Sequence, residues 1–419
     1  MITGRRGTSA LPEIRLSDTF AIVGSGHAGA SAAEALRREG FAGRVVLAGA
    51  EPHLPYQRPP LSKKLLAGEL PFERTLIKSA GYYGQGNIEL RLGHAVTGID
   101  CAQHRIAFDD GESLEYRRLL LCLGSAARRL SVPGATLPGV HYLRTIDDVE
   151  AIRASCRPGV RLIVVGGGYI GLEIAATCLK LGLDVTVLEM LERVMNRVVA
   201  PEVSAFFAAE HLAQGVKLHC NTGVAAFEGD ATVREVVCAD GRRFAADLVV
   251  IGAGIVPVTQ IAADAGIACD NGIVVDEHCR TSVADVYAAG DCTNHPSPRY
   301  GRRVRLESVD NAFEQARSAV ANMLDKSTVH DKVPWFWSDQ YDLKLLIVGL
   351  SHGYDRCVVR GDPATRSFSA CYLRDGELLA LDAINSPRDY MAARKLIAER
   401  ARLDPVRLAD PAVELKACI

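Results

Sequence analysis

The chain has 419 residues, 48% hydrophobic and 23% charged, with a net charge of −2. That length exceeds what one hydrophobic core usually fills, so two or three domains are expected. The near-neutral balance argues against nucleic-acid or anionic-membrane binding, and no apolar run reaches the roughly 18 to 20 residues of a membrane-spanning helix.

Residues 1–18 carry Arg5, Arg6 and Arg15 but no apolar core like that of a secretory signal, so a flexible extension is expected. An apolar run, 20–23, then ends at the glycine fingerprint GSGHAG, Gly24 to Gly29, and helical spacing follows over 28–38. A second strand is expected at 44–48. After it come a loop rich in proline and charge, EPHLPYQRPPLSKKLLAGE, and short strands at 89–93, 95–100, 105–108 and 118–122. The plan then repeats: a strand at 161–165, GGGYIG at Gly166 to Gly171, a helix over 170–181, a strand at 184–188, a helix over 201–214, and strands to about 250. TSVADVYAAGD, 281–291, reads as a short strand entering a glycine turn and a carboxylate. From 333 the texture is α+β, with strands at 343–349, 356–360, 367–373 and 378–385 and one closing helix, 387–402.

In a strand–turn–helix context the first glycine of a fingerprint makes the tight turn. The second lets the backbone approach a diphosphate, and the third lets helix and strand pack closely. Two such turns in one chain imply two adenine dinucleotides. Glu189 ends the strand VTVLE where an acid can accept hydrogen bonds from a ribose 2′-OH and repel a 2′-phosphate. No arginine follows it until Arg193, so the second site reads as NADH rather than NADPH. At the corresponding place in the first unit stand Ala50 and Glu51, a weaker ribose contact made either by Glu51 or by backbone and water.

The twelve cysteines contain no CxxC, and the closest pair is Cys269 and Cys279. No zinc, iron–sulfur or thioredoxin-type ligand set is present. Cys122, Cys178 and Cys238 stand at apolar positions as small buried hydrophobes, which suggests a reducing cytoplasm.

Taken together, GSGHAG, PYQRPPLSK, GGGYIGLEIA, TSVADVYAAGD, LESVDNAFEQAR and PWFWSDQYDLKLLIVGL resemble the NADH-dependent ferredoxin reductases, over about residues 19 to 405. That family includes putidaredoxin reductase and the reductases of biphenyl-type dioxygenases. The resemblance implies an α/β fold with two Rossmann-like domains of the glutathione-reductase-like type plus a C-terminal α+β domain. The FAD domain is expected at 19–123 and 248–330, the NAD domain at 124–247 and the C-terminal domain at 331–419. It implies FAD in the first site, beside Gly24, Gly26, Ala28, Gly29, Ala50, Glu51, Arg58, Lys63, Val96, Arg144, Gly290, Asp291, Val309 and Trp337. Within that set Lys63 stands near the N5 edge, Asp291 near the ribityl chain and Val309 near the pyrimidine end. NADH is implied at Gly166, Gly168, Tyr169, Ile170, Gly171, Glu173 and Glu189, with Glu173 and Glu307 orienting the nicotinamide. No side-chain nucleophile or general base and no metal is required.

Hydride brings two electrons at once, and a one-electron iron–sulfur carrier needs a flavin to divide them. The implied partner is a two-iron two-sulfur ferredoxin that feeds a haem-thiolate monooxygenase or a Rieske dioxygenase. Acidic ferredoxins point to Arg299, Arg302, Arg303, Arg305 and Arg317 as docking residues on a monomer or weak dimer. A disulfide reductase needs a cysteine pair beside the flavin, and an NADH oxidase or peroxidase of this superfamily one cysteine between 51 and 63. The first cysteine is Cys101. The other reading is a redox-sensing flavoprotein like apoptosis-inducing factor, which holds a long-lived charge-transfer complex instead of turning over.

Overall fold

The structure is a computed structural model that describes residue 15 and residues 17–419. The extension expected over 1–18 lies almost wholly outside these residues.

Two five-stranded parallel sheets carry the two fingerprints. The first runs in the order Val286–Ala288, Arg118–Leu121, Thr19–Val23, Arg44–Gly49, Ile88–Leu92. The second runs Lys217–His219, Asp184–Leu188, Arg161–Val165, Leu248–Ile251, Val140–Tyr142. Each fingerprint strand is flanked on both edges and buried on both faces, so Phe20 and Ile22, like Leu162 and Val164, are fully enclosed. That is why these strands read as unbroken apolar runs. Each unit also bears a three-stranded antiparallel meander, built from 96–115 in one and 224–245 in the other.

One boundary moves. Residues 248–251 were expected to open the return into the first unit, but Leu248 to Ile251 pair in parallel with Leu162 to Val165, in the second sheet. The chain crosses back after them, where Ile255–Pro257 pairs antiparallel with Ser125–Ala127 to form a two-stranded link.

The C-terminal region is a five-stranded antiparallel sheet, Trp335–Gln340, Leu343–Gly349, Glu377–Ile384, Ser367–Arg374, Arg356–Asp362. Alternation gives it two buried faces. Phe368, Ala370 and Tyr372 pack with Val203 and Phe207 of the second unit. Cys371, Leu373 and Leu381 pack beneath Leu396 and Ile397 of the sheet's own helix. That helix spans Pro387–Ala398 and stops short of the expected 402. Arg400 takes φ +54, and the chain turns back so that Leu378 N–H reaches Ala401 O and Leu403 N–H reaches Gly376 O. Two further helical turns, Pro405–Ala409 and Leu415–Ala417, follow it. The strand Trp335–Gln340 was not expected at all. Among the described residues no helix is long and apolar enough to cross a membrane.

Candidate functional site

Both fingerprint turns obey the same steric rule. A Cβ on Gly24 (φ +110) would lie 2.0 Å from Cys122 O, and one on Gly166 (φ +108) 2.5 Å from Gly252 O. On Gly29 and Gly171 it would stand 1.8 and 2.0 Å from the carbonyl oxygens of Gly24 and Gly166. Gly26 and Gly168, by contrast, face open space at the helix N-termini. The helices they precede, His27–Arg38 and Tyr169–Lys180, have no side-chain cap, whereas Thr145 and Ser308 cap the helices Ile146–Arg153 and Val309–Met323. Uncapped N–H groups behind a glycine approach are what a diphosphate requires. The residues fit two dinucleotides.

The surroundings of the two turns differ. Beside the first, Arg58 donates to the carbonyl of Arg144 at 2.8 Å and pairs with Glu51, which also accepts from Tyr56 Oη at 2.5 Å. Arg144 Nη2 stands 3.3 Å from Asp291 Oδ2. His27, buried behind them, is held at a pKa of about 4 by its burial and by the charges of Arg58 and Arg144. The imidazole is therefore neutral at physiological pH, and the field is one an anion would relieve. Gly290, with φ +87, brings its Cα–H side against Ala28, where a Cβ would come within 3.1 Å of the alanine methyl. Val309 starts its helix directly after the cap residue Ser308. Val96 packs on the core behind the first sheet, and Ala50 is exposed.

At the second turn Glu189 is locked to the backbone. Its Oε2 accepts from Gly167 N–H at 2.6 Å and its Oε1 from Leu191 N–H at 2.8 Å. Tyr169 leans on Phe336 with ring centroids 5.0 Å apart, and Ile170 is exposed on the first helical turn.

Between the two turns lies the junction. Lys63 Nζ is 2.6 Å from Glu173 Oε2, joining the first unit's proline-rich loop to the second unit's fingerprint helix. Ser62 Oγ donates to the same oxygen at 2.5 Å and Ser338 Oγ to Oε1 at 2.7 Å. The carboxylate is almost wholly buried, so its charge is balanced by the ammonium and its remaining lone pairs by two hydroxyls. Trp337 stacks on Trp335 with centroids 5.4 Å apart and shares with Lys63 the wall of an open cavity of about 940 Å³.

Two groups of expected residues are placed otherwise. Glu307 is exposed and its carboxylate pairs with Arg305. The arginine run is divided: Arg302 and Arg303 are exposed, whereas Arg299 and Arg305 are half-buried. Arg299 binds the end of the C-terminal helix through Ile397 O at 2.7 Å, and Arg303 reaches inward to Val275 O at 2.7 Å and Asn294 Oδ1 at 3.0 Å. Both hydrogen-bond carbonyl oxygens of the fold itself, although Arg303 stays exposed. Arg302 is exposed, and Arg317 is exposed with Glu314 at 2.9 Å. His27, Tyr56, Ser62 and Ser338 were not foreseen. All four lie inside motifs that were read, Ser338 in PWFWSDQYDLKLLIVGL, whose opening strand was not foreseen.

The class follows from the pattern of matches. Residues 18–316 match the family model described as pyridine nucleotide-disulphide oxidoreductase, and residues 335–419 match the reductase C-terminal model. The chain belongs to that oxidoreductase family, in its FAD-dependent ferredoxin reductase branch, although it carries no cysteine between the first fingerprint and Cys101. Among its relatives is the ferredoxin reductase subunit of 5,5′-dehydrodivanillate O-demethylase from Sphingobium sp., 49% identical over 94% of this chain and 97% of that protein. Putidaredoxin reductase of Pseudomonas putida is 42% identical over 96% of this chain and 97% of its own. The crystal structure of a covalent putidaredoxin reductase–putidaredoxin complex superposes with a TM-score of 0.93 at 41% identity, covering 96% of this chain and 98% of that one.

Proposed function

We propose that this flavoprotein takes hydride from NADH and delivers single electrons to a two-iron two-sulfur ferredoxin of an oxygenase system. The observation that carries the reading is the Lys63–Glu173 pair, which ties the two dinucleotide units together at the point where two cofactor rings would meet. Bound at the first turn, FAD supplies the conversion of a hydride pair into single electrons. Gly26, the uncapped helix start, Arg58 and Arg144 would hold its diphosphate, and Asp291 would accept from its sugar-alcohol hydroxyls. The N-terminus of the helix Val309–Met323 favours negative charge at the pyrimidine end.

On the nicotinamide side, Glu189 accepts from the ribose hydroxyls of NADH while its own oxygens stay pinned by Gly167 and Leu191. A rigid carboxylate cannot swing away from a 2′-phosphate, so NADPH is disfavoured. Tyr169, Ile170 and Glu173 orient the nicotinamide, which is catalysis by placement rather than proton transfer. Arg302, Arg303 and Arg317, the exposed arginines of the expected set, steer an acidic ferredoxin to the site. The test is NADH-dependent reduction of cytochrome c with and without added two-iron two-sulfur ferredoxins. Fast turnover that requires ferredoxin is expected. A persistent long-wavelength charge-transfer band with slow turnover for every ferredoxin would instead select the redox-sensor reading.

A further inference from the structure

A chain of buried hydrogen bonds leaves Glu173 on the side away from Lys63. Ser338 Oγ contacts Glu173 Oε1 at 2.7 Å, Gln340 Nε2 contacts Ser338 Oγ at 3.2 Å, His211 Nε2 contacts Gln340 Oε1 at 2.8 Å, and Tyr341 Oη contacts His211 Nδ1 at 2.9 Å. Its direction is forced. A carboxylate beside an ammonium only accepts, so Ser338 donates to it and must accept from the Gln340 amide nitrogen. The amide oxygen then faces His211, whose Nε2 must carry the proton. Burial holds the imidazole pKa down, so the ring is neutral, Nδ1 accepts and Tyr341 donates. Every link is polarised toward Glu173, and such aligned chains reinforce one another.

The members come from two domains. Ser338 and Gln340 share one face of the C-terminal strand, and His211 stands near the end of the helix Pro201–Gln214. All three are at most 1% exposed. Tyr341 takes φ +57, a conformation uncommon for a bulky side chain, which turns its ring back onto His211 with centroids 5.0 Å apart. Apolar side chains would fill this space without any hydrogen-bonding demand, whereas this set is satisfied only when the carboxylate sits in one place.

We propose that Ser338, Gln340, His211 and Tyr341 are positioning residues through which the C-terminal domain fixes the Glu173 carboxylate for hydride transfer. The inference rests on the role of Glu173 in the proposed function. Its test has one arm that does not depend on that role. In ¹⁵N NMR of the full chain, His211 should appear as a single neutral tautomer protonated at Nε2, and Gln340→Leu should abolish that uniqueness. A wild-type ring protonated at Nδ1 overturns the chain. In anaerobic stopped flow of the holoprotein, Ser338→Ala should slow flavin reduction by NADH about tenfold or more at saturation, with the NADH dissociation constant changed less than about twofold. Ser338→Thr, which restores the hydroxyl, should recover most of the rate. Unchanged reduction in Ser338→Ala, or loss equal in Ser338→Thr, overturns the positioning role. A wild type that NADH does not reduce while the His211 tautomer is as stated overturns the functional reading instead.

Discussion

The two dinucleotide units share a sheet order, a glycine turn and a meander, yet they treat charge in opposite ways. Around the first turn stand Arg58, Arg144 and a histidine held neutral chiefly by burial and then by their charges, while the acid just past the second strand, Glu51, is occupied by Arg58 and Tyr56. Around the second turn no arginine among the described residues is hydrogen-bonded to the acid, and Glu189 is gripped by two backbone N–H groups. A positive enclosure suits a diphosphate that stays. A fixed, open acid suits one that is read and released. The same backbone therefore makes a holder of one dinucleotide and a selector of the other.

The largest effect comes from filling the two approaches. Gly26 and Gly168 have negative φ and open space where a Cβ would go, so valine fits the fold at both. Gly26→Val should purify folded and colourless. Gly168→Val should stay yellow while its apparent KM for NADH rises about tenfold or more, which is roughly 1.4 kcal/mol of binding. Absorbance of the purified proteins and steady-state kinetics with ferricyanide read the two outcomes, and a yellow Gly26→Val breaks the comparison.

Acid should separate the units next. His27 and His330 are held at about 4 and His295 at about 3, all below the unfolded value and chiefly by burial. The unfolded chain takes up protons that the folded one refuses, so stability is whole above pH 6.5 and falls as the pH drops from there toward 4. Three such groups give a slope of up to roughly 4 kcal/mol per pH unit. His295 and His330 meet edge to face with centroids 5.1 Å apart, and His330 contacts Ser318 and Asn311 of the helix Val309–Met323. His141, His211 and His219 of the second unit are lowered too, but less, so hydrogen exchange of the apoprotein at pH 5 should show the first unit opening before the second. Uniform opening contradicts this.

Glu189→Ala should raise NADPH use relative to NADH by roughly tenfold to a hundredfold, the scale of one or two lost charged hydrogen bonds and one relieved repulsion. The ratio of kcat/KM for the two nucleotides measures it. The smallest effect belongs to Arg317, which is exposed and already paired. Arg317→Glu should raise the KM for ferredoxin a few-fold at low salt, less near physiological salt where the Debye length is about 8 Å, and leave ferricyanide turnover unchanged.

The parts of this molecule legible in sequence are those where local pattern and tertiary role coincide. The fingerprints, the strand Asp184–Leu188 and the helix Pro201–Gln214 carry their own periodicity or glycine grammar. The strand Trp335–Gln340 does not, because WFWSDQ lacks the apolar–polar alternation of a half-buried strand. Its polar residues Ser338 and Gln340 face a buried partner rather than water, so Ser338 could not be seen reaching Glu173. The arginine run was legible only in part. Basic residues close in sequence read as one solvated face, and Arg302 and Arg303 are exposed, but Arg299 is half-buried on Ile397 O and Arg305 is half-buried beside Glu307. The domain boundary at 248 failed at a crossover, where sequence adjacency says little about which sheet a strand enters.

The central claim is that one chain holds FAD at the first turn and receives NADH at the second, with Lys63 and Glu173 between them. Anaerobic titration of the purified protein with NADH tests it most directly. About one FAD per chain should be present, and one equivalent of NADH should bleach it completely, promptly in wild type and far more slowly in Gly168→Val. A folded wild-type protein that remains colourless after incubation with FAD, or one whose flavin NADH leaves oxidised, would contradict the account.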